Sequence, residues 1–181
     1  MCGCSRQQPV GQSLIDSETP ENVLFIEFLK AIPIQTPPIK LVCGLPDGPG
    51  SNNIIASDFA KYKEFIPTGY DAIFGTIGEK DNCYLVVFGQ TSEDIYPTLF
   101  SFDKSGKVID SLSLILSPCG AADEFQIPIT VATIDKEFEI VLTDTIDYIH
   151  YPDHRSNYIL DSTKTSIVIY HVNDHGQIVR K

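Results

Sequence analysis

The stretch Leu99–Asp110, "LFSFDKSGKVID", decides the fold, because it has a twin at Ile169–Arg180, "IYHVNDHGQIVR". The two align at Phe100/Tyr170, Phe102/Val172, Asp103/Asn173, Gly106/Gly176, Val108/Ile178 and Ile109/Val179. Each reads as an apolar run, an Asx residue, two polar residues, a glycine, a polar residue and an apolar pair. That is the pattern of a hairpin. The Asx side chain accepts hydrogen bonds from backbone N–H groups two positions on, and the glycine supplies the positive φ of the bend, often with a bulge. Ile134-Asp135-Lys136-Glu137-Phe138 is a third copy that lacks the glycine. A calcium loop needs alternating oxygen ligands and a distant Glu, whereas Asp103-Lys104-Ser105-Gly106 offers one carboxylate beside a cation. "KSGK" is not a phosphate loop either. The phrase is therefore expected to punctuate strands and to carry no chemistry of its own.

Outward from it, short β runs are expected near 72–78, 83–90, 97–103, 107–116, 127–134, 138–145, 157–161, 165–172 and 177–180. Tyr84–Phe88 and Ile167–Tyr170 are apolar at every position and read as central strands. In "TIDKEFEIVLT", Ile134, Phe138, Ile140 and Leu142 share one parity and Glu137 and Glu139 the other, which predicts a core face and an acidic solvent face. Val108, Leu112, Leu114 and Leu116 are expected to point one way. Links of two to six residues force antiparallel neighbours. The expected fold is mainly β, an antiparallel meander of hairpins forming one curved sheet or two packed sheets, with short N-terminal helical segments. A propeller would need blades recurring at about 40–50 residues, and one repeat spaced wider than that is too little.

Before residue 70 the text differs. "SETPENVLFIEFLKAIP" predicts a short helix capped by Thr19, with Pro20 in its first turn and Pro33 ending it, although a strand competes. Five prolines and three glycines over Pro33–Asn53 predict mostly extended loop. "ASDFAKYKEFIP" offers one or two helical turns from Ser57 to Pro67.

The 181 residues suit one domain with a real core. Residues 1–70 carry 5 basic and 7 acidic side chains, and residues 71–181 carry 8 and 17, so the charge of −11 is concentrated in the β half. Such a surface repels phosphate backbones and anionic headgroups, which argues against nucleic acid and polybasic membrane docking. It suits a basic protein partner or divalent cations. No apolar run of about 18 residues exists to span a bilayer as a helix.

Met1-Cys2-Gly3-Cys4 has the form of the end of a bacterial lipobox. Cys4, or alternatively Cys2, is the expected lipidation site, with the apolar part of the signal upstream of Met1. Residues 1–16 would then form a flexible tether and residues 17–181 a single β-rich domain. Export would place Cys43, Cys83 and Cys119 in an oxidising compartment, where one pair could join. Cys43 and Cys119 lie in loop-like text and are one candidate pair. Cys83 opens an apolar strand and reads as a buried thiol.

The four histidines form two H-x3-H pairs, His150/His154 and His171/His175. Residues four apart on a strand stand about 13 Å apart, too far to share an ion. A metal or hydrolytic site would need His150 or His154 to meet His171 or His175 across strands, beside Asp153 or Asp174. Cys83 or Cys119 with a histidine could form a dyad. No G-x-S-x-G is present, the motifs imply no cofactor, and no catalytic residue is assigned.

The terminal "CGCS", "GYDAIFGTIGEKDNCYLVVFG", "LFSFDKSGKVIDSLSL" and "ATIDKEFEIVLTD" together resemble envelope lipoproteins of Bacteroidetes-type bacteria. The resemblance covers about Gly69–Asp144 plus the first cysteines. It implies a lipid-anchored location on the cell envelope, and no activity or functional residues. A protein or glycan of the envelope is the expected partner. Three readings follow. The first is a non-enzymatic binding or interaction domain of the envelope. The second is a hydrolase with a late His/Asp site, and the third an immunity or inhibitor protein that binds a basic partner.

Overall fold

The computed structural model describes residues 22–42, 54–91, 95–117, 125–152 and 157–181. The chain is mainly β, with two antiparallel sheets. In chain order the elements are helix α1 (Val23–Ala31), β1 (Ile39–Val42), β2 (Ile54–Ile55), a 3-10 segment (Ala56–Phe65), β3 (Ala72–Lys80), β4 (Cys83–Thr91), β5 (Ile95–Asp103), β6 (Val108–Ser113), β7 (Gln126–Ile134), β8 (Glu139–His150), β9 (Ile159–Val172) and β10 (Ile178–Arg180). The first sheet has the order β2-β3-β4-β5-β6 and the second β1-β7-β8-β9-β10. Of the two architectures expected, the pair of packed sheets is the one formed.

Strand β4 shows why. Leu85 and Val87 turn to the second sheet and join Leu99, Ile134, Ile140, Leu142 and Val172 in the inter-sheet core. Val86 and Phe88 turn the other way, onto Phe25, Phe28 and Phe65 of the helical layer. Both faces of the first sheet are covered, so "YLVVF" is apolar at every position and central, as expected. The phenylalanine rings of the helical layer interlock, with Phe25 5.1 Å from Phe65 and 5.4 Å from Phe102. The molecule is thus three layers: helix, sheet, sheet. Among the described residues no layer covers the far face of the second sheet.

The helix is capped by Asn22, whose Oδ1 accepts from the N–H groups of Leu24 at 3.0 Å and Phe25 at 3.3 Å. Thr19 and Pro20, the expected start, lie outside the described residues. The stop at Pro33 holds, since Ala31 is the last helical residue.

Other expectations are corrected. The loop read over Pro33–Asn53 contains β1, which pairs with β7 from Ile39↔Ile134 to Val42↔Val131. Pro33, Pro37 and Pro38 precede the paired residues, so they cost no ladder bond. The runs expected at 157–161 and 165–172 are one strand, β9, paired with β8 from His150↔Ile159 to Glu139↔His171. The polar text between them, "DSTKTS", is exposed on both faces and so carries no periodicity. For the same reason Ile167–Tyr170 is not central: β9 is next to the edge, and Ile167 is 60% exposed. Val108 does not share a face with Leu112 and Leu114. A register shift between Ser101 and Phe102 reverses the parity, leaving Val108 exposed while Leu114 is buried.

The repeated phrase is a turn in all three copies. Asp103 Oδ1 accepts from Ser105 N–H at 2.8 Å and Lys107 N–H at 3.0 Å. Asn173 Oδ1 accepts from His175 N–H at 3.0 Å and Gln177 N–H at 2.9 Å. Asp135 Oδ1 accepts from Glu137 N–H at 2.9 Å and Glu139 N–H at 2.8 Å. Gly106 and Gly176 have φ of 86° and 77°, and Phe138 takes the same place at 60°. Phe138 is therefore a turn residue. It still packs, half-buried, against the inter-sheet core. The parity reading holds for Ile134, Ile140 and Leu142, all buried, but not through the bend itself.

Candidate interaction surface

Among the described residues, His150 and His171 do not converge. Glu139 pairs with His171 at one end of the β8–β9 ladder, and His150 pairs with Ile159 at the other. The intervening rise is about 36 Å. His150 instead contacts Asp161, Nδ1 to Oδ1 at 2.7 Å, on an exposed surface. His175 is exposed in the β9–β10 turn, and the Nδ1 of half-buried His171 has no hydrogen-bond partner. Among the described residues no group of three His, Cys, Asp or Glu side chains could hold a metal ion. His154, Asp153, Cys2, Cys4, Cys43 and Cys119 lie outside the described residues. Cys83 is 2% exposed, and burial pushes its thiol up to about 11, partly offset by the Lys80 cation. A nucleophilic dyad needs the thiolate, so Cys83 is the buried thiol the sequence suggested and not a nucleophile.

The carboxylates of Asp144 and Asp110 are tied up structurally. Asp144 accepts from Thr130 Oγ1 at 2.8 Å and from Ser117 Oγ at 2.7 Å. Asp110 Oδ2 accepts from Ile178 N–H at 2.9 Å, stapling the last strands of the two sheets together.

The second sheet has a different character. Strand β8 is paired on both sides, with β7 from Glu139's neighbour Ile140 as far as Tyr148 and with β9 along its whole length. Strand β9 is paired with β10 only from Tyr170 to Val172. Lys181 N–H donates to Ile169 C=O and Asn173 N–H to Gln177 C=O, both at 2.9 Å. Residues of one parity in a strand send both backbone polar groups to the same side. Ile169, His171 and Asn173 thus face β10, and Thr163, Thr165 and Ile167 present theirs on the same side, where among the described residues no strand lies.

From Ile159 to Ile167 every β9 side chain is also exposed. The ribbon overhangs the sandwich. At its tip Tyr151 and Tyr158, 49% and 52% exposed, meet edge to face with centroids 6.5 Å apart. Ile159 and Leu160 extend this apolar end. Thr163 Oγ1 donates to Asp147 Oδ1 at 2.6 Å, so the strand is held to β8 by side chains as well as backbone. An unpaired, long edge is a template for another strand, and natural sheets commonly shield such edges. Lys164 is the ribbon's one cation and its only shield of that kind among Ile159–Ile167.

No family model matches the chain, and no curated protein or solved structure matches it.

Proposed function

We propose that the chain is a non-enzymatic interaction domain of the bacterial envelope, held there by a lipid on Cys4, and that the unpaired edge of β9 is its binding element. The observation that carries the reading is that edge: backbone donors and acceptors at Thr163, Thr165 and Ile167 unpaired by any described strand, on a ribbon exposed on both faces. The chain's charge of −11 favours a basic extended partner, whose approach it would accelerate at low salt. A hydrolase at the late histidines has less support, since the β8–β9 register holds His150 and His171 far apart.

The test is calorimetric titration with a ten-residue peptide of alternating lysine and valine. Binding that weakens with salt and is lost in Thr165→Pro supports the reading. Equal binding by wild type and Thr165→Pro, or none by either, overturns it. Proline is tolerated where the N–H faces away from the ladder, so the variant should keep its fold.

A further inference from the structure

We infer that the tyrosine corner at the tip of the β8–β9 ribbon, Tyr151 against Tyr158, receives arginine side chains of a basic extended partner. The inference takes from the proposed function only that the partner is basic and extended. It adds the side chain by which that partner is recognised and the place that holds it.

The β8–β9 register sets the corner in place. Tyr148 pairs with Ser162 and Ile149 with Leu160, so Asp161 is an extra residue and β9 is bulged there. At the bulge Asp161 meets His150, Oδ1 to Nδ1 at 2.7 Å, and the ladder closes at His150↔Ile159. The two tyrosines come next along either strand. Their rings stand at 80° with centroids 6.5 Å apart, and both residues are about half exposed. A corner fixed on a closed ladder exists before a ligand arrives, so filling it costs little side-chain freedom. Phe125 C=O accepts from Ile149 N–H at 2.9 Å, which sets a third aromatic residue, 52% exposed, at this end of the sheet.

Charge decides the occupant. Neighbours along a strand alternate faces, and cross-strand partners share one. Asp147 and its partner Thr163 therefore lie on one face of the ribbon, and Ile146 and its partner Lys164 on the other. Tyr151, four residues beyond Asp147, has the parity of the Asp147 face. Among the described residues from Thr143 to Tyr151 and from Tyr158 to Ile167, that face carries one carboxylate and no cation. The faces of aromatic rings are negative and attract cations, and the planar guanidinium of arginine also stacks on them. In an extended segment the next side chain on that side falls about 7 Å further on, in the direction of Asp147. The charge of −11 repels an anion and draws such a segment in. A neutral glycan could stack on the same rings, but neither Asp147 nor the net charge would favour it.

The probe is a ten-residue peptide of alternating arginine and valine, titrated calorimetrically against the full chain. Tyr151→Leu with Tyr158→Leu should weaken its binding about fivefold or more, the effect expected of a cation on an exposed ring face. Tyr151→Phe with Tyr158→Phe should hold it within about twofold, because phenylalanine keeps the ring face. Both double variants should match wild type in circular dichroism and melting temperature. A control peptide with citrulline, the uncharged analogue, for every arginine should bind wild type about fivefold or more weakly and lose nothing further in the leucine variant. Equal affinity of wild type for the two peptides, or an arginine peptide indifferent to leucine, overturns the inference. So does a phenylalanine variant as weak as the leucine one. Loss of a neutral oligosaccharide, such as maltoheptaose, in the leucine variant with the arginine peptide unaffected overturns it in favour of a glycan. Thr165→Pro separates corner from edge. An arginine peptide weakened by leucine but indifferent to Thr165→Pro upholds the corner and removes the β9 edge, and the opposite pattern removes the corner and keeps the edge. No binding of the arginine peptide by wild type overturns both.

Discussion

Thr130 and Asp144 face each other across the β7–β8 ladder, and the threonine hydroxyl donates to the buried carboxylate at 2.8 Å. Asp144 is 5% exposed, so this is a charge-bearing group kept inside by hydroxyl donors. The same Thr130 oxygen accepts from the N–H groups of Leu116 and Ser117, both at 3.3 Å. Thr130→Val keeps the shape and deletes all three bonds. The expected cost is about 1–3 kcal/mol, because a buried acceptor then loses a partner. Denaturant melts would measure it, and a neutral substitution would show that the network holds nothing together.

Phe138 tests the turn. It sits at φ 60°, where the two sister turns have glycine. A side chain in this region costs about 1–2 kcal/mol, and only glycine escapes it. Phe138→Gly and Phe138→Ala both lose the half-buried ring, but only the first relieves the backbone. Phe138→Gly should therefore be the more stable of the two by about 1 kcal/mol. The reverse order in thermal melts would mean that the backbone there is unstrained.

Gly106 is the opposite case. A Cβ built there would lie 2.7 Å from Phe65 Cε1 and 2.8 Å from Phe25 Cγ, at φ 86°. Gly106→Ala should cost about 2 kcal/mol or more, combining backbone strain with overpacking of the helical layer. A substitution without effect would show that the helical layer can give way at this turn.

Cys83 gives the chain an alkaline limit. Its thiol is raised by burial from 9.0 to about 11 in the folded state. The folded form thus holds its proton where the unfolded chain has lost it, and unfolding is favoured as pH rises through that interval. Stability from the neutral thiol is fully present below pH 9 and is lost as pH climbs toward about 11. Chemical denaturation of wild type and Cys83→Ala across this range should show the excess slope in wild type alone. Parallel slopes would mean that the thiol ionises as readily folded as unfolded.

Glu137 is exposed in its turn, and Glu139 is partly exposed and ion-paired with Lys181. Replacing both by Gln should change stability by less than about 1 kcal/mol. A larger loss in denaturant melts would place these carboxylates in the fold's support and not on its surface.

How much of this was legible follows from where the apolar residues fall. The turns were readable because Asx and Gly act locally, within five residues of chain. Strand β4 was readable because both its neighbours are apolar layers. Strand β1 was hidden because its four residues sit among prolines, and only the pairing with β7 makes them a strand. The long β9 was split in two because Asp161–Ser166 touch no core, and period-two reading has nothing to detect there. The candidate edge was missed for that same reason. A run of serine and threonine between two aliphatic pairs is its sequence trace. The histidines misled because spacing along the chain says nothing of register, and β8–β9 register sends them to opposite ends.

Asn22, at the start of α1, donates its N–H to Lys104 C=O at 3.0 Å, in the turn between β5 and β6. That turn lies at the end of the strands where β9 passes into β10, since Lys80 reaches Val172 C=O there. The Tyr151–Tyr158 tip is at the opposite pole. Any tension between what precedes Asn22 and what grips the tip would run along the strand axes. Ladder hydrogen bonds lie across that line, so they would share the load in shear together and would not be peeled open one by one.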